Sequence, residues 1–555
     1  MLALTACGFV NGAHAEAPGE VAIRSTLAEG ASPDIELWDA ARWRDTLITL
    51  YEQREFKPLW FAGRQLNEAG RSLLHELRSA DERGLESVDY AGNALSYLAI
   101  DLAGSSKAGA EEVALLDTAF SVSAARLVSD LHYGRVTPRE AGHDLDLPHT
   151  SIDIGAALLA LAASKDARLT LNSFEPSFGH YQLLKPALSK YRLLATDPEL
   201  TQLPPLGRTA SLKPGETYIG ASALRTLLRA MGDMPPLTAA APAATDDTIL
   251  DPLLIEGLQR FQKRHGLDPD GALGQATWRE LTKPFDLRVR QIQLSLERMR
   301  WLPPKIATPP IIVNIPQFRL FAFNTTSDSE DTLLQMGVIV GKSFKGSETP
   351  VFAADMRYLV LRPYWDVPYS ILVREMLPSI RADPSWVQRR GFEIVRGQSD
   401  DSPVVPATAE NIEQLARGAL RIRQKPGPEN ALGLVKFMFP NRYNVYLHST
   451  PAQGLFAEAR RAYSHGCVRV EDPVALIQHV LRSDPSWTRE RAVEAMKGDK
   501  PLRVPLPEPI RVFMVYATAL AAEDGTVLFF DDIYGHDVRL DALLRARLAN
   551  MRHTM

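Results

Sequence analysis

At 555 residues, with 45% hydrophobic and 23% charged side chains, the chain is too long for one hydrophobic core and has the composition of an ordinary globular protein of several domains. A formal net charge of −5 without a long run of Lys or Arg gives no electrostatic footprint for nucleic acid. Its two cysteines, Cys7 and Cys467, stand in very different contexts, which argues against a disulfide framework.

The chain opens on a short apolar stretch, and Ala13-His14-Ala15 ahead of Glu16 has the small-x-small form of a signal-peptidase site. Residues 1–15 are therefore expected to be an export signal, shortened at its start because no Lys or Arg precedes the apolar part. Leu4-Thr5-Ala6-Cys7 also has the form of a lipobox, which would make Cys7 a site of lipid attachment. No other stretch approaches the roughly 18 apolar residues of a membrane span, so membrane contact is expected only through an N-terminal lipid anchor.

From 30 to 205 the sequence reads as a helical scaffold domain, with apolar residues at i, i+3, i+4 spacing over 38–51, 66–77, 111–131 and 155–163. Its Phe56-Lys-Pro-Leu-Trp60 and Tyr133-Gly-Arg-Val-Thr-Pro138 segments suit turns between packed helices rather than catalysis. A second unit is expected over 212–285. It has helices at 223–231 and 252–265, a Pro/Ala-rich loop at 235–244, and glycine turns leading through Thr277-Trp278 into a third short helix. After a helix near 289–300 the periodicity changes to short β-branched strands at 311–315, 319–323, 335–340 and 358–361. A helical, irregular insertion at about 370–425 interrupts this β-rich region and is placed to act as a lid. Strands resume at 435–439 and 445–448 and again at 510–516 and 526–530, before a charged helical end; the third domain spans about 300–545.

The chemistry concentrates in Val445-Tyr446-Leu447-His448-Ser449 and Tyr463-Ser464-His465-Gly466-Cys467-Val468-Arg469. Two histidines and the one interior cysteine fall within 20 residues. A thiol with a free pKa of about 8.5 becomes an effective nucleophile when a neighbouring base or cation favours the thiolate. His465, two residues from Cys467, and His448, at a strand end, both qualify as that base. Zinc is the rival reading of His, His and Cys, but neither CxxC nor HExxH is present and no metal is expected. Gly466 beside the nucleophile would let backbone N–H groups approach a developing oxyanion.

His448 followed nineteen residues later by Cys467 in Ser464-His465-Gly466-Cys467-Val468-Arg469 resembles the signature of the L,D-transpeptidase (YkuD-type) catalytic domain. Asn441-Arg-Tyr-Asn-Val-Tyr446, Gly337-Val-Ile-Val-Gly341, Thr349-Pro350 and Leu361-Arg-Pro-Tyr-Trp365-Asp-Val-Pro368 add to that resemblance. Phe261-Gln262-x-x-His265-Gly266-Leu267 with Asp270-Gly271-x-x-Gly274-x-x-Thr277 resembles the three-helix peptidoglycan-binding domain. The whole chain resembles the large Gram-negative, YcbB-like subgroup of the family. The fold implied is α+β and multidomain: a β-rich catalytic domain with a lid insertion, a helical N-terminal scaffold domain and a three-helix peptidoglycan-binding domain.

The resemblance further implies that Cys467 is the nucleophile, that His448 takes its proton, and that the Ser449 carbonyl orients the imidazole. His465, Gly466 and Cys467 would supply the oxyanion region. Arg469 would hold a substrate carboxylate or a structural ion pair, and Tyr446, Tyr463 and Trp365 would wall the pocket. The implied substrates are peptidoglycan tetrapeptide stems joined by 3-3 cross-links in the periplasm, without a cofactor, with other cell-wall synthases as partners. An L,D-carboxypeptidase and a non-catalytic wall-binding scaffold are the alternatives.

Overall fold

The computed structural model describes residues 18–29, 40–145, 147, 150–207, 211–236, 247–303, 306–326, 328–329, 331–344 and 346–553. The expected export signal, with Cys7, and most of the Pro/Ala-rich loop lie outside the described residues. The chain divides into two compact units, one comprising Met1–Arg135, His149–Ser177 and Leu543–Met555, the other Val136–Pro148 and Phe178–Ala542.

The first unit is helical and is organised on Ala110–Tyr133, a 24-residue helix whose described side chains are buried almost continuously from Leu116 to His132. A helix apolar on all sides belongs in a core, and the polar groups it carries inward need partners there. Asp117 has them: it accepts hydrogen bonds from the Leu59 and Trp60 amides at 2.9 and 2.7 Å and from the Tyr51 hydroxyl at 2.6 Å. Ser121 accepts from the Trp60 indole at 2.9 Å. The Phe56–Trp60 turn is thereby tied to the central helix, as its reading as structural punctuation requires.

In the second unit, Ala221–Met231, Pro252–Arg264 and Gln275–Leu281 form a three-helix bundle. The motif residues of this bundle are engaged with one another. Gln262 donates to Asp270 Oδ1 and to the Ala272 carbonyl at 2.9 and 3.0 Å and accepts from the Gly271 amide at 2.8 Å. His265 is stacked on Phe261 at 3.8 Å and bonds the Phe261 carbonyl. Helix Phe285–Met299 leads from the bundle to the β-rich region.

There the strands are β1 (Ile311–Asn314), β2 (Arg319–Ala322), β3 (Leu334–Gly341), β4 (Phe352–Leu361), β5 (Trp365–Asp366), β6 (Phe392–Val395), β7 (Val404–Val405), β8 (Arg421–Gln424), β9 (Val435–Met438), β10 (Leu447–His448), β11 (Ala462–Ser464), β12 (Val468–Val470) and β13 (Leu502–Val515). One sheet runs in the order β11-β3-β12-β10-β9-β4-β13-β1-β2, and β2 also pairs with β3, so it closes into a barrel with β11 alongside β3. Val435, Phe437, Leu447, Val468 and Val470 are buried on one face of it, and the residues between them point to the other.

The insertion after β4 holds the expected helices together with a small antiparallel sheet in the order β7-β6-β8-β5. Leu377, Ile380, Ile394, Ile412, Leu415 and Ile422 give it a core of its own. Its first helical segment, from Tyr369, passes through a π-helical turn at Leu372–Met376.

Candidate active site

The site is laid out by three adjacent strands. His448 on β10 stands opposite Lys436 on antiparallel β9 and opposite Arg469 on parallel β12, so Lys436, His448 and Arg469 form one row across the sheet. Their neighbours Phe437, Leu447, Val468 and Val470 fill the apolar face, which leaves the three polar side chains together on the other.

His448 is 4% exposed, and its Nδ1 lies 2.6 Å from the Ser449 carbonyl. A carbonyl only accepts, so Nδ1 carries the proton and Nε2 is left as a free acceptor in the neutral ring. The Ser449 side chain fixes this arrangement by accepting from the Leu434 and Val435 amides at 2.7 and 3.2 Å. Burial pushes His448 down to about 3, with the Arg469 and Lys436 charges adding to the effect, so the imidazole is neutral near pH 7.

Cys467 sits at the end of a tight turn. Gly466 adopts φ +117°, a conformation open to glycine, and its amide donates to Ser464 Oγ at 3.1 Å while Ser464 Oγ donates to the Cys467 carbonyl. Thr349 Oγ1 donates to the Gly466 carbonyl at 2.8 Å and accepts from the Gly341 amide at 2.9 Å. A side chain at Gly341 would meet the Ser347 carbonyl at 2.0 Å. Tyr534 completes the support: its hydroxyl donates to the Gly341 carbonyl at 2.6 Å and accepts from the Thr349 amide at 3.2 Å.

The Gly466 amide, expected in the oxyanion region with His465 and Cys467, donates to Ser464 Oγ. The His465 and Cys467 amides have no protein acceptor among the described residues, which leaves them for a ligand oxygen.

The half-buried Cys467 thiol donates to the Asn444 carbonyl at 3.7 Å, and no hydrogen bond joins it to His448. Burial raises the thiol pKa; the backbone and hydroxyl of Tyr446, then the Arg469 and Lys436 charges, oppose that rise. Tyr446 is itself pushed well up by burial and by Cys467, so its hydroxyl remains a donor. Its ring packs edge-on against His448 at 5.8 Å.

The remaining expected residues divide. His465 Nε2 meets Glu375 Oε1, from the π-helical turn of the insertion, at 2.8 Å. Tyr463 is exposed on β11. Trp365 packs against Phe392 at 6.0 Å, at the edge of the insertion's core. Lys436 and Tyr534 escaped the sequence reading. An alternating Val-Lys-Phe-Met strand is the only trace of the first, and nothing local marks the second.

A polar turn presenting a thiol beside a buried neutral imidazole is an arrangement that thiol-based acyl transfer can use. Residues 309–494 match the model of the L,D-transpeptidase catalytic domain, residues 221–281 that of the "Putative peptidoglycan binding domain", and residues 45–188 that of the "Scaffold domain". A "Putative L,D-transpeptidase" of Haemophilus influenzae is 31% identical over 252 residues, 45% of this chain and 49% of that relative, so the match spans about half of each. The chain carries a YkuD L,D-transpeptidase catalytic domain together with a peptidoglycan-binding domain and a scaffold domain.

Proposed function

We propose that the protein is a peptidoglycan L,D-transpeptidase with Cys467 as nucleophile and His448 as general base. Sγ attacks the carbonyl carbon at the L-centre of meso-diaminopimelate in a tetrapeptide stem, and His448 Nε2 takes the thiol proton. The His465 and Cys467 amides meet the charge that develops on the carbonyl oxygen. The bond to D-Ala then breaks, the imidazolium returns its proton to the leaving amine, and a thioester remains. The side-chain amine of a second stem attacks that thioester, losing a proton as the thiol is restored, and a 3-3 cross-link results.

The observation that carries this reading is the pairing of a buried imidazole, its Nδ1 anchored on the Ser449 carbonyl, with a cysteine turn whose His465 and Cys467 amides are free. The resting thiol points to Asn444, so the reaction begins when it turns toward His448; such bonds commonly tighten only once substrate is bound. The reading places the mature protein in the periplasm and makes Cys467 a target for acylation by carbapenems. Incubation with a disaccharide tetrapeptide tests it. Release of D-Ala with formation of cross-linked dimers, absent in Cys467→Ala, is the expected result. Tripeptide alone would assign the activity to a carboxypeptidase, and no turnover by folded protein would point to a wall-binding scaffold.

A further inference from the structure

We propose that Lys436 and Arg469 together form a seat for a substrate carboxylate beside Cys467. This rests on the transpeptidase reading and deepens it by naming how an acidic stem peptide is held. The two cations stand in one row on either side of His448, on β9 and β12. Neither has an ion pair or a side-chain hydrogen bond among the described residues, and Arg469 Nε is buried without a partner.

The most deeply buried arginines of this unit are treated differently from these two half-buried cations. The buried Arg264 is paired with Asp233, Arg288 with Glu280, Arg298 with Asp537, Arg300 with Glu297 and Arg423 with Glu393. Desolvating a cation is costly unless an anion compensates, and every structural cation in that series has one. At the site Lys436 and Arg469 form no ion pair among the described residues, which leaves both open to a bound anion. Of the nearby insertion carboxylates, Glu375 is held by His465, while Asp400 reaches Lys436 only electrostatically, without an ion pair.

The electrostatics agree with this placement. Both charges act on the Cys467 thiol and on the His448 ring, so an anion seated between them would lie within range of the reacting atoms. A tetrapeptide donor presents three carboxylates within several bonds of the scissile carbonyl: that of the leaving D-residue, that at the D-centre of the diaminopimelate and the α-carboxylate of the γ-linked D-glutamate. Arg469 offers a planar fork for such a group and Lys436 a mobile point charge.

The test uses alkylation of Cys467 in the full chain by iodoacetate and by iodoacetamide, followed on the Cys467 peptide by mass spectrometry. In both reactions the sulfur displaces iodide and forms a thioether; the reagents differ in carrying a carboxylate or a carboxamide. The ratio of the two rates should fall about tenfold in Lys436→Gln and in Arg469→Gln, and Lys436→Arg should keep most of it. A ratio unchanged in both Gln variants overturns the seat. This readout needs no turnover, so it separates failure of the seat from failure of the transpeptidase reading.

Acylation by tetrapeptides amidated singly at each of the three carboxylates then identifies the group bound. The amidation that slows wild type about tenfold while leaving Lys436→Gln indifferent marks the carboxylate that occupies the seat. If no amidation slows wild type, the donor stem does not use it and the proposal fails.

Discussion

The helical unit and the row beside Cys467 treat charge withdrawn from water differently. In the former, Arg83 lies between Glu76 at 2.7 Å and Glu175 at 3.1 Å, and Asp117 receives donors from three groups. In the row formed by Lys436, His448 and Arg469, two half-buried cations flank a neutral imidazole and form no ion pair among the described residues. Charge that serves the fold is satisfied by the fold, whereas charge left unmet on a rigid strand surface is available to a ligand.

The contrast can be broken at its structural end first. Asp117→Ala strips an acceptor from the Leu59 and Trp60 amides and the Tyr51 hydroxyl at once. It should destabilise the helical unit by about 3–5 kcal/mol, measured by denaturant unfolding, with Cys467 acylation retained in protein that remains folded.

His448→Gln probes the other end. Losing the base should slow acylation by about 10²- to 10⁴-fold, read by quenched-flow mass spectrometry, with a much smaller change in folding stability.

Thr349→Val lies between these extremes. It removes the hydroxyl that joins the Gly341 amide to the Gly466 carbonyl and should cost about 1–3 kcal/mol of stability. Acylation should slow about tenfold if the turn before Cys467 loosens; an unchanged acylation rate would confine Thr349 to the scaffold.

Acid should shift the two units in opposite directions. In the catalytic unit burial lowers His448 to about 3 and His479 and His536 to about 4, while unfolded histidine titrates near 6.5. Between about 6.5 and 4 the unfolded state therefore binds more protons, and these groups withdraw stability as the pH falls, by up to about 1.4 kcal/mol per pH unit each. In the helical unit Asp89 is raised to about 6 by burial against an ordinary value of 3.8, so it binds protons in the folded state first and adds stability over part of the same window. Hydrogen exchange of the intact chain, corrected for intrinsic rates, should show the barrel strands losing protection between pH 6.5 and 4.5 while the peptides around Asp89 do not.

How much of this could be read beforehand follows from how local each signal is. Cys467 and its two neighbouring histidines were legible as candidates because thiol, glycine and imidazoles lie in one short stretch, and the barrel strands because β-branched alternation is a local pattern. Gln262, Asp270, Gly271 and Thr277 were legible as a motif, and the structure explains them as a self-contained turn. Lys436 was not legible: a lysine between two buried apolar residues is the ordinary pattern of a half-exposed strand, and only the β9 to β10 register brings it to His448. Tyr534 reaches Thr349 from 185 positions away, a distance no local pattern spans. The insertion's strands β5 and β7 are two residues each, too short for alternation to show. The bond from the Gly466 amide to the Ser464 hydroxyl depends on a rotamer that sequence does not specify.

The central claim, that Cys467 forms an acyl-enzyme with a peptidoglycan stem, is tested most directly by intact mass. Wild type and Cys467→Ala would be mixed with a disaccharide tetrapeptide and quenched in acid over a time course. The account predicts a transient adduct equal to the donor less D-Ala, present in wild type, mapped to Cys467 and absent from the variant. Folded wild type that releases D-Ala with no such adduct, or an adduct that persists in Cys467→Ala, would contradict it.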